Sequence, residues 1–205
     1  MQKNLLFDLG GVIVDICRQN CIDAFMKLGF NDIADYLGDY GQRDYFLLLE
    51  EGAIGIEEFH SYTRPHLKPG VTDEQIDAAF NAFITGIPME RLVALRELRS
   101  KGFRTFIVSN TNAVMWHGPI LEAFRQEGFD INAYFDGVVT SFEAGCCKPD
   151  PRIFRLCIER FGITPDNTLF LDDSESNCLA AESLGFSAIH VPPHSSFMQF
   201  IEIPD

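Results

Sequence analysis

The sequence predicts an α/β fold: a parallel β-sheet flanked by helices, with a small helical segment inserted after the first strand. Three observations carry this. Three short apolar runs each stop at a polar residue: Leu5-Leu6-Phe7 before Asp8, Phe106-Ile107-Val108 before Ser109, and Leu169-Phe170-Leu171 before Asp172 and Asp173. Unbroken apolar runs of this length read as strands buried on both faces, the situation of a parallel sheet. Helical patterns alternate with them, as crossover connections require. Between residues 16 and 87 the alternation breaks and only helical patterns follow one another.

Taken in order, the strand ending at Phe7 leads into four amphipathic stretches, around Cys17 to Leu28, Tyr45 to Glu51, Ile56 to His66 and Asp73 to Ile84. They read either as an inserted unit, residues 16–87 against a core of 1–15 and 88–205, or as helices packed directly on the sheet. The next helix starts at Pro88, carries Leu92, Leu95 and Leu98 at helical spacing, and stops before Gly102. After the second strand, a weaker strand pattern covers Gly137 to Ser141. A helix begins near Pro151, with Phe154, Cys157, Ile158 and Phe161 on one face. The third apolar run is followed by a last strand pattern at Ser187 to Val191. The closing segment, His194 to Asp205, carries Phe197, Phe200 and Ile201 and either folds back on the core or reaches a partner chain.

Composition narrows the function classes. With 205 residues, 46% hydrophobic and 22% charged, the chain is globular in character, and no apolar run approaches the roughly 18 residues that span a bilayer. No membrane role is expected. No secretory leader precedes the first strand, so a cytoplasmic location is expected. A net charge of -14 opposes binding to a polyanionic backbone, which argues against nucleic acid, and is compatible with divalent cations. The six cysteines include no CxxC pair, so reduced thiols are expected rather than a zinc site. The 19 phenylalanines follow core periodicity and are assigned to packing.

Ligands of an open parallel sheet bind outside the carboxyl ends of its strands, and Asp8, Ser109 and Asp173 all fall there. Singly each has another reading, since Asp8 could open a Gly-rich turn, Ser109 could cap a helix, and Asp172 with Asp173 could satisfy the amides of a helix start. Together they supply what phosphoryl transfer needs. A carboxylate can attack phosphorus, splitting hydrolysis into two displacements, while the charge on the transferring oxygens calls for a cation and hydrogen-bond donors. Asp8 and Asp173 offer hard oxygen ligands for magnesium. Ser109 and the amide of Asn110 can donate to phosphoryl oxygens. Lys148, just before Pro149-Asp150-Pro151 and a helix N-terminus, supplies a fixed positive charge.

Four segments in order give the chain a resemblance to the haloacid dehalogenase-like hydrolases. They are Phe7-Asp8-Leu9-Gly10-Gly11-Val12-Ile13-Val14-Asp15, Val108-Ser109-Asn110-Thr111-Asn112, Lys148-Pro149-Asp150-Pro151-Arg152-Ile153-Phe154 and Phe170-Leu171-Asp172-Asp173-Ser174-Glu175-Ser176-Asn177. The resemblance implies a Rossmann-like core, a small helical cap at the position of residues 16–87, and a magnesium-dependent phosphohydrolase acting on a small phosphorylated metabolite. It implies Asp8 as nucleophile through an aspartyl phosphate, Ser109 and Lys148 as phosphate contacts, Asp173 as a magnesium ligand, and the main-chain carbonyl of Gly10 as another. Asn177 falls where many members carry a second carboxylate and is expected to orient water or Asp173. Asp15 matches a position near the cap hinge and is read as structural.

One position departs from the family's phosphatases. They carry a second aspartate two residues after the nucleophile, as acid and then base, and here that residue is Gly10. Three readings follow. The first is a phosphatase whose leaving group needs little protonation or whose acid comes from the cap or from water; the Asp-Leu-Gly-x-Val-Ile-Val-Asp start and the Ser-Asn-Thr-Asn motif resemble a branch with bacterial phosphatases acting on glucose 1-phosphate. The second is a metal-independent 2-haloacid dehalogenase, which the paired Asp172 and Asp173 oppose because neighbouring carboxylates call for a cation. The third is a non-catalytic protein that binds a phosphate-bearing ligand. His60, His66 and His117 are candidates for the missing acid, and Asn112 and Trp116 for the substrate side.

Overall fold

The structure is a computed structural model describing residues 3–38, 41–192 and 195–203. The chain runs through β1 (Asn4–Phe7), β2 (Asp15–Ile16), α1 (Arg18–Leu28), α2 (Asp44–Glu50), α3 (Ile56–Thr63), α4 (Asp73–Asn81), β3 (Ile84–Gly86), α5 (Met89–Ser100) and β4 (Arg104–Ser109). It continues through α6 (Ala113–Met115), α7 (Leu121–Ala123), β5 (Gly137–Thr140), α8 (Ser141–Ala144), α9 (Pro151–Phe161), β6 (Thr168–Asp172), α10 (Glu175–Glu182) and β7 (Ser187–His190).

Five strands form one parallel sheet in the order β5-β4-β1-β6-β7, the Rossmann-like arrangement expected. The central strand β1 pairs with β4 and β6, matching Leu6 to Phe106 on one side and to Phe170 on the other. Because side chains alternate along a strand, one sheet face collects Leu6, Phe106, Val108, Val139 and Phe170. The other collects Leu5, Phe7, Ile107, Leu169 and Leu171. The first face is covered by Ile153, Phe154, Cys157 and Phe161 of α9 and Ala181 of α10. The second is covered by Leu92, Leu95 and Leu98 of α5, with Phe124, Tyr134 and Phe135.

The helix ends follow local chemistry. Asp150 caps α9, accepting from the Arg152 amide at 2.8 Å with Pro151 in the first turn, and Gly162 closes it in the left-handed region at φ 59°. Thr72 and Gln75 form a reciprocal capping box at the start of α4.

Helices α1 to α4 lie between β2 and β3, and Phe25, Phe46, Phe59 and Phe80 form their common core, with Phe46 5.0 Å from Phe59 and 5.2 Å from Phe80 between ring centroids. The fourth stretch ends earlier than its pattern suggests. It is helical to Asn81, and Ile84 belongs instead to β3, which pairs antiparallel with β2. These two strands, two and three residues long, are too short to show a period. The third stretch is α-helical to Thr63 and tightens into a 3₁₀ turn over Arg64–His66. Asp15, half exposed at the start of this ribbon, pairs with Arg91 of α5 at 2.6 Å.

The closing segment folds back: Phe197 is fully buried, edge-on to Phe7 at 5.2 Å, and Ile201 is also buried. His194 and Asp205 of that segment lie outside the described residues. All six cysteines are free thiols. Among the described residues no helix is long and apolar enough to cross a membrane.

Candidate active site

The carboxyl ends of β1, β4 and β6 meet at one cavity. Asp8 follows β1 directly, and its amide donates to the Leu171 carbonyl at 2.8 Å, so the β1–β6 pairing continues into the residue that bears the carboxylate. Ser109 ends β4 and Asp172 ends β6. Asp8, Gly10, Ser109, Asn110, Lys148 and Asp173 all line the cavity, together with Thr111, Asn177 and several residues between β2 and β3.

Lys148 is the charge at the centre. Its ammonium lies 2.5 Å from Asp8 Oδ1 and 2.7 Å from Asp172 Oδ2, and its side chain is 1% exposed. Burial alone would lower the lysine's pKa, but Asp172 and Asp8 more than offset this and hold it above the ordinary value. The Lys148 main chain is fixed by Asn110, whose side-chain oxygen accepts from the Lys148 amide at 2.7 Å while its Nδ2 donates to the Lys148 carbonyl at 2.9 Å. The Asn110 side chain is thereby occupied as a clamp, which leaves a contact with ligand oxygens to its main-chain amide.

Asp172 is fully buried and held by Lys148, by the Ser174 amide at 2.8 Å and by Asn177 Nδ2 at 3.0 and 3.1 Å. Asn177 therefore positions Asp172, not Asp173. Asp173 is held through its main chain, where the carbonyl contacts His190 Nε2 at 2.8 Å. Its carboxylate packs over Gly11. A Cβ on Gly11 would lie 2.3 Å from Asp173 Oδ2, and Gly11 sits at φ +75°, so glycine is required twice over. At Gly10 a Cβ would meet only Ile16, at 3.6 Å.

Asp8, Asp172 and Asp173 each present an oxygen, all within 4.8 Å of one another. One ammonium faces three carboxylates, which leaves the cluster formally short of positive charge. Burial drives the Asp8 carboxyl well above the ordinary range, Lys148 pulls it back, and Asp172 and Asp173 push it up again. Asp173 is raised by burial first and by Asp172 second. A hard divalent cation fits such an oxygen set and relieves that repulsion. Asp8, Gly10 and Asp173 line the cavity, and their two carboxylates with the Gly10 main chain are the groups that could hold it.

The other sequence candidates lie elsewhere. His60 of α3 is buried against Asp77 of α4 at 2.7 Å, His66 stacks on Phe30, and His117 lies edge-on to Phe142. Asn112 turns inward to cap the Met115 amide at 3.1 Å and Trp116 is buried, and neither lines the cavity; Thr111, Met115 and Ile120 do so in place of those two candidates. Sequence reasoning passed over three positions. His190 could have been found at the end of a strand pattern, where the other site residues were found. Glu50 stands four residues after the buried Phe46 on the inward face of α2, and Gln42 precedes that helix; both line the cavity.

A family model for haloacid dehalogenase-like hydrolases matches residues 2–185. The chain belongs to the haloacid dehalogenase-like hydrolases. Among curated family members it is 36% identical over 186 residues to a D-ribitol-5-phosphate phosphatase of Bacteroides thetaiotaomicron, covering 91% of this chain and 90% of that one. It is 32% identical over 198 residues to a phosphorylated carbohydrates phosphatase of Thermotoga maritima, covering 93% and 85%. Among solved structures, a wild-type family enzyme from B. thetaiotaomicron in complex with magnesium and inorganic phosphate superimposes with a TM-score of 0.91 at 36% identity, over 98% of this chain and 100% of that one.

Proposed function

We propose that this hydrolase is a magnesium-dependent phosphatase of a small phosphorylated sugar or sugar alcohol, working through an aspartyl phosphate on Asp8. The observation that carries the reading is the set of buried Asp8 and Asp172 and half-buried Asp173 around Lys148 at the strand ends. Asp8 attacks phosphorus, and Lys148 with Ser109 and the Asn110 main-chain amide receives the phosphoryl oxygens. Asp8, the Gly10 carbonyl and Asp173 would hold magnesium, which would supply positive charge to the transferring group. Asp172 is a positioning residue that keeps Lys148 charged and in place.

The helices of residues 16–87 serve as the cap that selects the substrate, with the β2–β3 ribbon at its neck. The wall they share with the core mixes apolar Ile16, Phe83 and Ile84 with Gln42 and Glu50, which suits a small polyhydroxylated leaving group. The named substrate of the relative from B. thetaiotaomicron is an ester of a primary alcohol rather than of an anomeric hydroxyl. We therefore extend the substrate class beyond glucose 1-phosphate to alditol and sugar phosphates with poor leaving groups.

The test is phosphate release from a panel of sugar and alditol phosphates by purified protein. Release that needs magnesium and disappears in Asp8→Asn is expected. No release from any member with magnesium, or equal release by Asp8→Asn, would overturn the reading; halide release from a 2-haloacid in excess chelator would favour the dehalogenase instead.

A further inference from the structure

We infer that Glu50, reaching the cavity from the insertion, is the general acid–base residue of this enzyme, occupying the role left open at Gly10. The inference rests on the phosphatase reading above and deepens it. Four ionisable side chains line the cavity among the described residues: Asp8, Glu50, Lys148 and Asp173. Asp8 and Lys148 are locked in an ion pair at 2.5 Å, and Asp173 belongs to the carboxylate cluster. Glu50 is the one left without an assigned task.

Its setting is that of a poised acid. The side chain is buried, and Oε2 has no hydrogen-bond partner although it is shut off from solvent. A buried carboxyl oxygen without a partner disfavours the charged form of the group and so keeps it readily protonated. Gln42 lies beside the carboxyl and favours its charged form. Burial raises the Glu50 carboxyl to about 7, against the opposing bonds from Gln42 and with a small upward push from Glu51. An acid with that value is present in both forms at neutral pH, as an acid–base catalyst must be. Cys147, the other titratable group facing it, is itself pushed up by burial and so stays a neutral thiol.

The two steps balance. As the bond from Asp8 to phosphorus forms, the bond from phosphorus to the ester oxygen breaks; the departing oxygen takes that electron pair and the proton from the Glu50 carboxyl. Glu50, now a carboxylate, then takes a proton from water as the water oxygen attacks the aspartyl phosphate, releasing phosphate and restoring Asp8.

The experiment compares kcat/KM of the full chain and Glu50→Gln, with magnesium, on an alditol phosphate and on p-nitrophenyl phosphate. This ratio covers steps up to leaving-group departure, so slow breakdown of the phosphoenzyme does not enter it. Nitrophenolate leaves without a proton and an alkoxide does not. We expect a loss of about 10²-fold on the alditol phosphate, exceeding the loss on p-nitrophenyl phosphate by at least about tenfold. Equal losses on both substrates, or none, would overturn the assignment. If Glu50→Gln does not fold, Glu50→Asp carries the same comparison with the same sign and a smaller gap. A wild-type protein that hydrolyses neither substrate would instead refute the phosphatase reading.

Discussion

Replacing Lys148 by methionine tests the electrostatic core of the site without changing its shape much. The ammonium contacts two carboxylates, at 2.5 Å and 2.7 Å, and the side chains of Asp8 and Asp172 are only 10% and 0% exposed. Removing one partner of a buried ion pair costs about 3–5 kcal/mol, because the remaining charge is left without compensation. Here two charges are stranded, so the upper part of that range applies at a pH where both are ionised. For a chain of this size, with a urea slope of about 2–3 kcal/mol/M, the unfolding midpoint falls by roughly 1–2 M. The single tryptophan, Trp116, is buried and reports unfolding by fluorescence. The pH dependence has a definite sign. Asp8 is already raised above the unfolded value with Lys148 lowering it, and the variant removes that lowering. Stability linked to a raised carboxyl is present at low pH and lost as pH climbs through its folded pKa. The deficit of Lys148→Met therefore shrinks near pH 5 and is largest near pH 8, in chelator throughout. A midpoint shift under about 0.3 M near pH 8, or a deficit that grows on acidification, would refute the account of Lys148 as the counter-charge.

Three further outcomes follow from the geometry. Glu50→Gln gains stability relative to wild type as pH rises. The folded carboxyl sits at about 7 against an ordinary 4.5, so burying its charge costs up to about 3 kcal/mol above neutrality and nothing below pH 4.5; paired denaturation curves near pH 5 and pH 8 measure this. Gly11→Ala displaces the Asp173 carboxylate, which its Cβ would approach to 2.3 Å, and raises the magnesium concentration needed for half-maximal activity, whereas Gly10→Ala leaves that concentration near wild type. Asn110→Leu removes both bonds to the Lys148 main chain and lowers stability by about 1–3 kcal/mol, read from urea midpoints, together with kcat.

The parts legible in the sequence were those written as local patterns. Each apolar run of the central strands ended where a site residue begins, because a strand buried on both faces has no polar position until it leaves the sheet. Proline and glycine likewise marked the ends of α5 and α9. The β2–β3 ribbon was hidden because two- and three-residue strands carry no period, and Ile84 looked like the continuation of α4. Side-chain partners were hidden for another reason. Asn177 could reach either of two adjacent aspartates, and only the turn after β6 selects Asp172. The Asn110 amide reads as a ligand contact, whereas the grip of its side chain on Lys148, 38 residues away, depends on the sheet. Glu50 looked like any glutamate at a helix end until folding brought α2 over the strand ends.

The most direct test of the central claim is to trap the covalent intermediate. The enzyme is mixed with magnesium and a substrate found in the phosphatase panel, quenched in acid within a single turnover, digested and mapped by mass. The account predicts one added phosphoryl group on the peptide that contains Asp8, on that residue, and none in Asp8→Asn. Rapid phosphate release with no phosphorylated peptide, or a phosphoryl group on a different residue, would contradict it.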